Sequence, residues 1–145
     1  NFIREVAQEH GNLLPTTSDL SAFFEARASH AGYGWIARIV AGRVGTIPMV
    51  VVTGVRNREE VEVYRGLPGF RLVKLEADFE IRYERWCARQ RPGEQDTSRE
   101  ALLAIERLPG NANVGEIMAL PGSTIHNIGT KRDLYGALDL LVARG

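Results

Sequence analysis

Over the first 45 positions apolar residues return every three or four places, and no stretch alternates as a half-buried strand would. Phe2, Ile3, Val6 and Ala7 predict a first helix, closed by Gly11 and Asn12, residues that tolerate a left-handed cap. Pro15, Thr16, Thr17, Ser18 and Asp19 form a start signal for a second helix carrying Leu20, Phe23, Phe24 and Arg27, which should end near Gly32. Tyr33, Gly34 and Trp35 lead into a third, with Ile36, Ile39 and Val40 on one face and Arg38 and Arg43 off it. The pattern then changes. Every residue from Ile47 to Val52 is apolar or Pro, which predicts a buried parallel strand over 47–55, with Pro48 near its start, where a missing N–H matters least.

Asn57 and Glu60 have capping-box spacing, so a helix is expected from there to about Arg65, stopped by the Gly66 to Gly69 turn. A second strand is expected over 70–76, then a long helix over 78–90 and a polar break over 91–96. Thr97 and Glu100 repeat the capping spacing ahead of Ala101, Leu102 and Ile105, and a short helical turn is expected over 114–120. A third strand over 123–128, stopped by Gly129 and Thr130, precedes a last helix with Leu134, Leu138 and Leu141 on one side.

Three strands each followed by a helix argue for right-handed crossovers and a parallel α/β sheet. Ligands gather at the carboxyl ends of such strands, which directs attention to Thr53, Gly54 and Arg56. Parallel sheets buried on both faces usually have more than three strands, so at least one strand is expected to be missing.

The 145 residues are one domain's worth, and no internal repeat is evident. With 18 basic and 18 acidic residues the formal charge is zero, which implies no bulk attraction to DNA, RNA or an anionic membrane; any anion site must be local. The single cysteine, Cys87, cannot form an intrachain disulfide, and His10, His30 and His126 show no metal-ligand spacing with it, so no metal site is expected and a reducing cytoplasm fits best. No apolar stretch reaches the length of about 20 residues needed to span a membrane. The chain starts at Asn1 instead of Met, a hint that further sequence belongs ahead of it.

The densest chemistry lies on the helix expected over 78–90. Arg82, Arg85 and Arg89 share one face, while Phe79, Tyr83, Trp86 and Cys87 share another, so one side packs, with Cys87 read as a buried thiol, and the other presents guanidinium groups. Within the helix Arg82 has an acidic residue at i−4, Asp78, whereas Arg85 and Arg89 have no carboxylate three or four places away. From Arg82 to Arg89 a helix rises roughly 10 Å, comparable to a polyphosphate, and Arg is suited to bidentate phosphate contacts. A solvated basic face is the alternative.

The order of these features resembles the P-loop nucleoside monophosphate kinases. The residues that carry the likeness are Arg4 in its Ile-Arg-Glu helix, Pro15-Thr16 with the helical stretch to Gly34, Gly54-Val-Arg56 after a strand, the helix from Glu80 to Arg85, and Asn127-Ile-Gly-Thr130 followed by Leu134-Tyr135. The likeness is strongest to the branch of dephospho-coenzyme A kinases, archaeal-type adenylate and cytidylate kinase-like proteins and deoxynucleotide kinases, and it covers nearly the whole chain. It implies a three-layer parallel sheet with helices on both faces. It also implies one domain, with 1–45 as the acceptor-binding helical region and 46–145 as the core, and a lid around 78–100.

The same resemblance implies that Arg4 and Arg27, with Thr53 and Gly54, handle an acceptor, and that Arg56 approaches its phosphate. Arg82, Arg85, Arg89 and Arg91 would belong to the lid closing on the donor phosphates of ATP with its magnesium ion. Asn127, Gly129 and Thr130 would line the loop beside the donor's adenine. Arg56, Arg85 and Arg89 are the expected catalytic set, acting by position and charge. Two departures stand out. The family's first, central strand and its phosphate-cradling G-x-x-x-x-G-K-[ST] loop are absent, since no Gly-Lys pair occurs. Thr53 stands where the resemblance leads one to expect an Asp. Two classes therefore stay open: an ATP-dependent kinase of a nucleotide or coenzyme A precursor, incomplete in these residues, and a nucleotide-sensing or protein-interaction module on a degenerate kinase scaffold, completed by another chain or a second copy. In the resembled fold the missing strand lies between strands 47–55 and 70–76, so these two should stand about 9 to 10 Å apart, with the slot filled by further residues of the protein, a partner's strand or a rearranged segment of the same chain.

Overall fold

A computed structural model describes residues 2–9, 11–13, 17–44, 47–89, 96–108, 111 and 113–143. It is an α/β structure: helices and a small parallel sheet of two strands. The chain forms two compact units, Asn1–Phe70 with Ala112–Ala119, and Arg71–Asn111 with Leu120–Gly145.

In the first unit α1 (Phe2–Glu9), α2 (Thr17–Ala31) and α3 (Trp35–Val44) follow the helical spacing of the sequence. Their apolar positions converge on Val6, Ala28, Trp35 and Ile36, with Phe23, Phe24, Tyr33 and Ile39 packed around them. Phe23 meets Trp35 edge to face, centroids 6.1 Å apart, as ring quadrupoles favour. A short helix, α4 (Arg58–Arg65), buries Val61 and Tyr64. The Glu60 carboxylate accepts the N-cap amide of Asn57 at 2.9 Å, as the capping-box spacing predicts, and the same oxygen also accepts the preceding Arg56 amide at 2.9 Å. Gly32, with φ +75°, turns the chain between α2 and α3. Above that turn the Glu59 carboxylate accepts the Gly34 amide at 3.1 Å. A last short helix, α7 (Val114–Met118), also belongs to this unit.

The expected strand over 47–55 is not formed. Among the described residues this run pairs with no strand, and the side chains of Ile47, Met49, Val50, Val51 and Val52 lie open, from Val52 at 37 % exposed to Val51 at 78 %. Composition favours an extended chain there, but a strand exists only through a ladder partner, and none is present among the described residues. The expected pair of strands flanking a slot is therefore not formed either. Gly54, at φ +80°, ends the run ahead of α4.

The second unit holds β1 (Val73–Glu76) and β2 (Ser123–His126), paired in parallel with Val73 opposite Ser123 and Glu76 opposite His126. Both strands are shorter than the expected 70–76 and 123–128, because the ladder closes at Ser123 N–H to Leu72 O, 2.9 Å, and Asn127 N–H to Glu76 O, 2.6 Å. Gly122 permits the first closure: a Cβ there would lie 2.7 Å from Leu72 O. The same unit holds α5 (Phe79–Arg89), α6 (Arg99–Glu106) and α8 (Lys131–Ala143). Trp86, Leu102, Leu120 and Ile125 form the unit's buried set. The start of α6 lies one residue beyond the expected cap: Ser98, not Thr97, accepts a helix amide, that of Ala101 at 3.2 Å. Among the described residues no helix is long and apolar enough to cross a membrane.

Candidate functional site

In the second unit the two faces of α5 divide as their spacing predicts. Phe79 stacks on Tyr83 with centroids 6.1 Å apart, Tyr83 packs on Trp86, and Trp86 is 5 % exposed. Cys87 is only half-buried, its Sγ 3.8 Å from Thr97 O. This departs from the expected buried thiol, because Cys87 lies at the margin of the aromatic ridge.

The guanidinium groups are engaged by partners distant in sequence. Arg82 donates to both carboxylate oxygens of Glu106, at 3.0 and 3.1 Å, and to Ala77 O at 2.6 Å; these are its partners here, in place of the expected Asp78. Arg85 donates to Asn127 O at 2.7 Å and Gly129 O at 2.8 Å. One planar fork thus binds two carbonyls of the loop that follows β2. Arg89 ends α5. Arg91 lies outside the described residues.

The loop after β2 is itself braced. Asp133 accepts the Thr130 amide at 2.8 Å and the Thr130 hydroxyl at 2.7 Å, so Thr130 caps α8, and these bonds hold the Asp133 carboxyl below its ordinary range. Asn127, Gly129 and Thr130 are brought together with Arg85 in this unit.

Arg99, which sequence spacing does not single out, completes the basic cluster. It pairs with Glu80 through two bonds, one of them 2.6 Å, and lies 4.7 Å above the Tyr83 ring. The Arg99 hydrogen bonds hold Glu80 below the usual carboxylate range, and Glu80 in turn raises Arg99. Nineteen residues separate the pair, so no local pattern could reveal it. Asp133 was more accessible to reading, since Thr130 and Asp133 stand at N-cap and N3 spacing.

In the first unit Arg27 lies over the rings of Phe23, at 5.4 Å, and Trp35, at 5.9 Å; among the described residues it has no carboxylate partner. Arg4 is in α1. Thr53 and Gly54 lie on the exposed run, and Arg56 is exposed, its backbone amide held by Glu60. The same unit has a cleft of about 620 Å³ whose walls include Tyr33, Asn57, Val63 and Asn113 and none of Thr53, Gly54 and Arg56. Asn113 Nδ2 donates to Asn57 Oδ1 at 2.8 Å. Among the described residues no group of three or more His, Cys, Asp or Glu could hold a metal ion, and Thr53 brings no charge of its own.

No family model matches the chain. No solved structure matches it. Among curated proteins, the UPF0200 protein of Methanoregula boonei is 30 % identical over 145 residues, covering 98 % of this chain and 79 % of that protein. The UPF0200 protein of Methanoculleus marisnigri is 32 % identical over 108 residues, 72 % of this chain and 58 % of its own length. A third, from Sulfurisphaera tokodaii, is 25 % identical over 113 residues, 78 % of this chain and 63 % of its own.

Proposed function

The chain belongs to the UPF0200 family, and we propose that it is the larger part of a nucleotide kinase with a P-loop kinase-like fold, moving the terminal phosphoryl group of ATP to a small phosphorylated acceptor. The acceptor is a nucleoside monophosphate or a dephospho-coenzyme A type molecule. An acceptor oxygen bonds to the γ-phosphorus as the bond to the leaving ADP breaks, and the acceptor proton leaves to solvent. Such transfer asks the protein mainly for positioning and for positive charge around the transferred group.

The observation that carries this reading is the Arg85 fork on the carbonyls of Asn127 and Gly129. It joins the arginine face of α5 to the loop that the resemblance assigns to the donor's adenine, and it does so within one compact unit. Arg82, Arg85 and Arg89 would then border the donor, with Arg91 beyond them, while Arg4, Arg27 and Arg56 belong to the acceptor side. The residues present do not fit a magnesium ion held by the protein, since Thr53 replaces the expected carboxylate; magnesium enters as part of the ATP substrate. The phosphate cradle must come from residues other than these 145, which contain no Gly-Lys pair.

A specific observation favours a second reading, a nucleotide-sensing or interaction module without turnover. The guanidinium group of Arg82 is engaged by both carboxylate oxygens of Glu106 and by the Ala77 carbonyl. A coupled assay with ATP, magnesium, a panel of nucleoside monophosphates and dephospho-coenzyme A separates the two, run on this chain and on the Methanoregula boonei relative, which extends beyond the matched region. The first reading expects turnover from the relative and none from these 145 residues alone. Robust turnover by the isolated chain would remove the need for a loop outside it. Saturable ATP binding without turnover by either selects nucleotide sensing, and absence of any nucleotide binding ends the kinase and the sensor and leaves the interaction module.

A further inference from the structure

Asn57 is 3 % exposed, and a buried side-chain amide is costly when its hydrogen-bonding groups go unmet. Its Oδ1 takes the Asn113 Nδ2 hydrogen at 2.8 Å, and both side chains line the cleft of the first unit. Among the described residues, Asn57 Nδ2 and Asn113 Oδ1 have no hydrogen-bond partner. The indole N–H groups of Trp35 and Trp86 are sealed away with no partner among the described residues, whereas Asn57 is part of the cleft wall. The two amides are tied by one bond, and each keeps one group, a donor on Asn57 and an acceptor on Asn113, at the wall of the same cleft.

We propose that this cleft is a nucleobase site, in which the Asn57 and Asn113 amides read the donor and acceptor edge of a neutral heterocycle. The inference rests on the nucleotide reading above and specifies which part of the acceptor the cleft takes: the base, not the phosphate. Charge argues for that division. Arg38 and Arg58 face Glu59, Glu62 and Glu116 around the cleft, leaving its walls one charge negative. Arg58 also lies 3.8 Å from Glu62. A phosphate dianion would be repelled on balance, whereas an uncharged base would not. Size agrees as well, because about 620 Å³ falls within the roughly 300 to 1,000 Å³ of small-molecule sites. The Tyr33 hydroxyl donates to Glu25 at 2.8 Å, which leaves its ring and Val63 as the apolar walls. A side-chain amide meeting a paired donor and acceptor is how Asn recognises an adenine edge elsewhere in protein chemistry.

The test uses the 15N-labelled chain and follows the side-chain amide resonances of Asn57 and Asn113 while adenosine, cytidine, guanosine, uridine or inorganic phosphate is added. One or more nucleosides should move both resonances saturably, and phosphate should leave them in place. Asn113→Leu should weaken that nucleoside about tenfold, the low end for losing a paired contact to a base. Unmoved resonances at millimolar nucleoside would overturn the proposal, as would equal shifts with phosphate. The native-chain titration stands even where the variant folds poorly. Nucleoside binding requires no phosphoryl transfer, so a protein that binds here but lacks turnover keeps this inference and loses the kinase. Turnover with an acceptor that leaves both amides unmoved does the reverse.

Discussion

The guanidinium of Arg85 on α5 donates to the carbonyl of Gly129 at 2.8 Å, across 44 residues of sequence. With its second bond to Asn127 O, it turns the end of β2 and the start of α8 into a loop fixed from outside. An arginine that helix spacing leaves without a partner is thus a brace in the folded chain, and any role toward phosphate must be compatible with that brace.

Arg85→Ala should leave the chain folded, because the side chain is exposed, at a loss of about 1 kcal/mol for the charge-assisted bonds. Amide hydrogen exchange over 127–130 should accelerate, since those carbonyls lose their anchor. If the same change lowers ATP affinity while exchange is unaltered, Arg85 acts on the nucleotide and not as a brace. Unchanged ATP affinity for both Arg85→Ala and Arg89→Ala would mean that this face does not meet phosphate, leaving Arg85 as a brace alone.

Stability should fall at both ends of the pH range, for opposite reasons. Glu80, held low by the Arg99 hydrogen bonds, Asp133, by the Thr130 hydroxyl and amide, and Asp96, by the Ser98 amide, all have carboxyls below their ordinary range. Their contribution is present above that range and is lost as pH falls below about 4; Glu80→Gln should flatten this acid limb, and added salt should weaken it. Tyr64 is the reverse case, pushed up to about 12 by burial and then by Glu60. Its contribution is intact below the ordinary tyrosine value of about 10 and is lost as pH rises from there toward about 12. Thermal unfolding across pH should show the alkaline loss in the native chain and not in Tyr64→Phe.

Gly32→Ala should destabilise more than Gly11→Ala. Both glycines have positive φ, +75° and +76°, so each alanine meets the left-handed penalty of about 1–2 kcal/mol. A Cβ at Gly32 would in addition lie 2.7 Å from the Glu59 carboxylate that holds the Gly34 amide, whereas at Gly11 nothing lies within 4 Å. Denaturant midpoints of the two variants give the displacement of Glu59 by difference; equal midpoints would mean that the carboxylate moves aside without loss.

Val51→Ser should change the stability of this chain by less than about 0.5 kcal/mol, because the side chain is 78 % exposed. A loss of several times that would reinstate the buried strand expected over 47–55.

The sequence by itself determined what depends on near neighbours along the chain. Helical spacing located α1 to α4, α5 and α8, and the Asn57 and Glu60 spacing located the start of α4, because caps and amphipathic faces are built from residues three and four places apart. The aromatic ridge of Phe79, Tyr83 and Trp86 was legible for the same reason. The tertiary structure alone decided whether the apolar run at 47–55 became a strand, since a ladder needs a partner that composition cannot supply. It alone decided the partners of Arg82, Arg85 and Arg99, at separations of 24, 42 and 19 residues, and the meeting of Asn57 with Asn113, 56 residues apart. Charges and amides on an exposed face satisfy the same local pattern whether solvated, bracing a loop or lining a cleft, and only the folded chain selects among them.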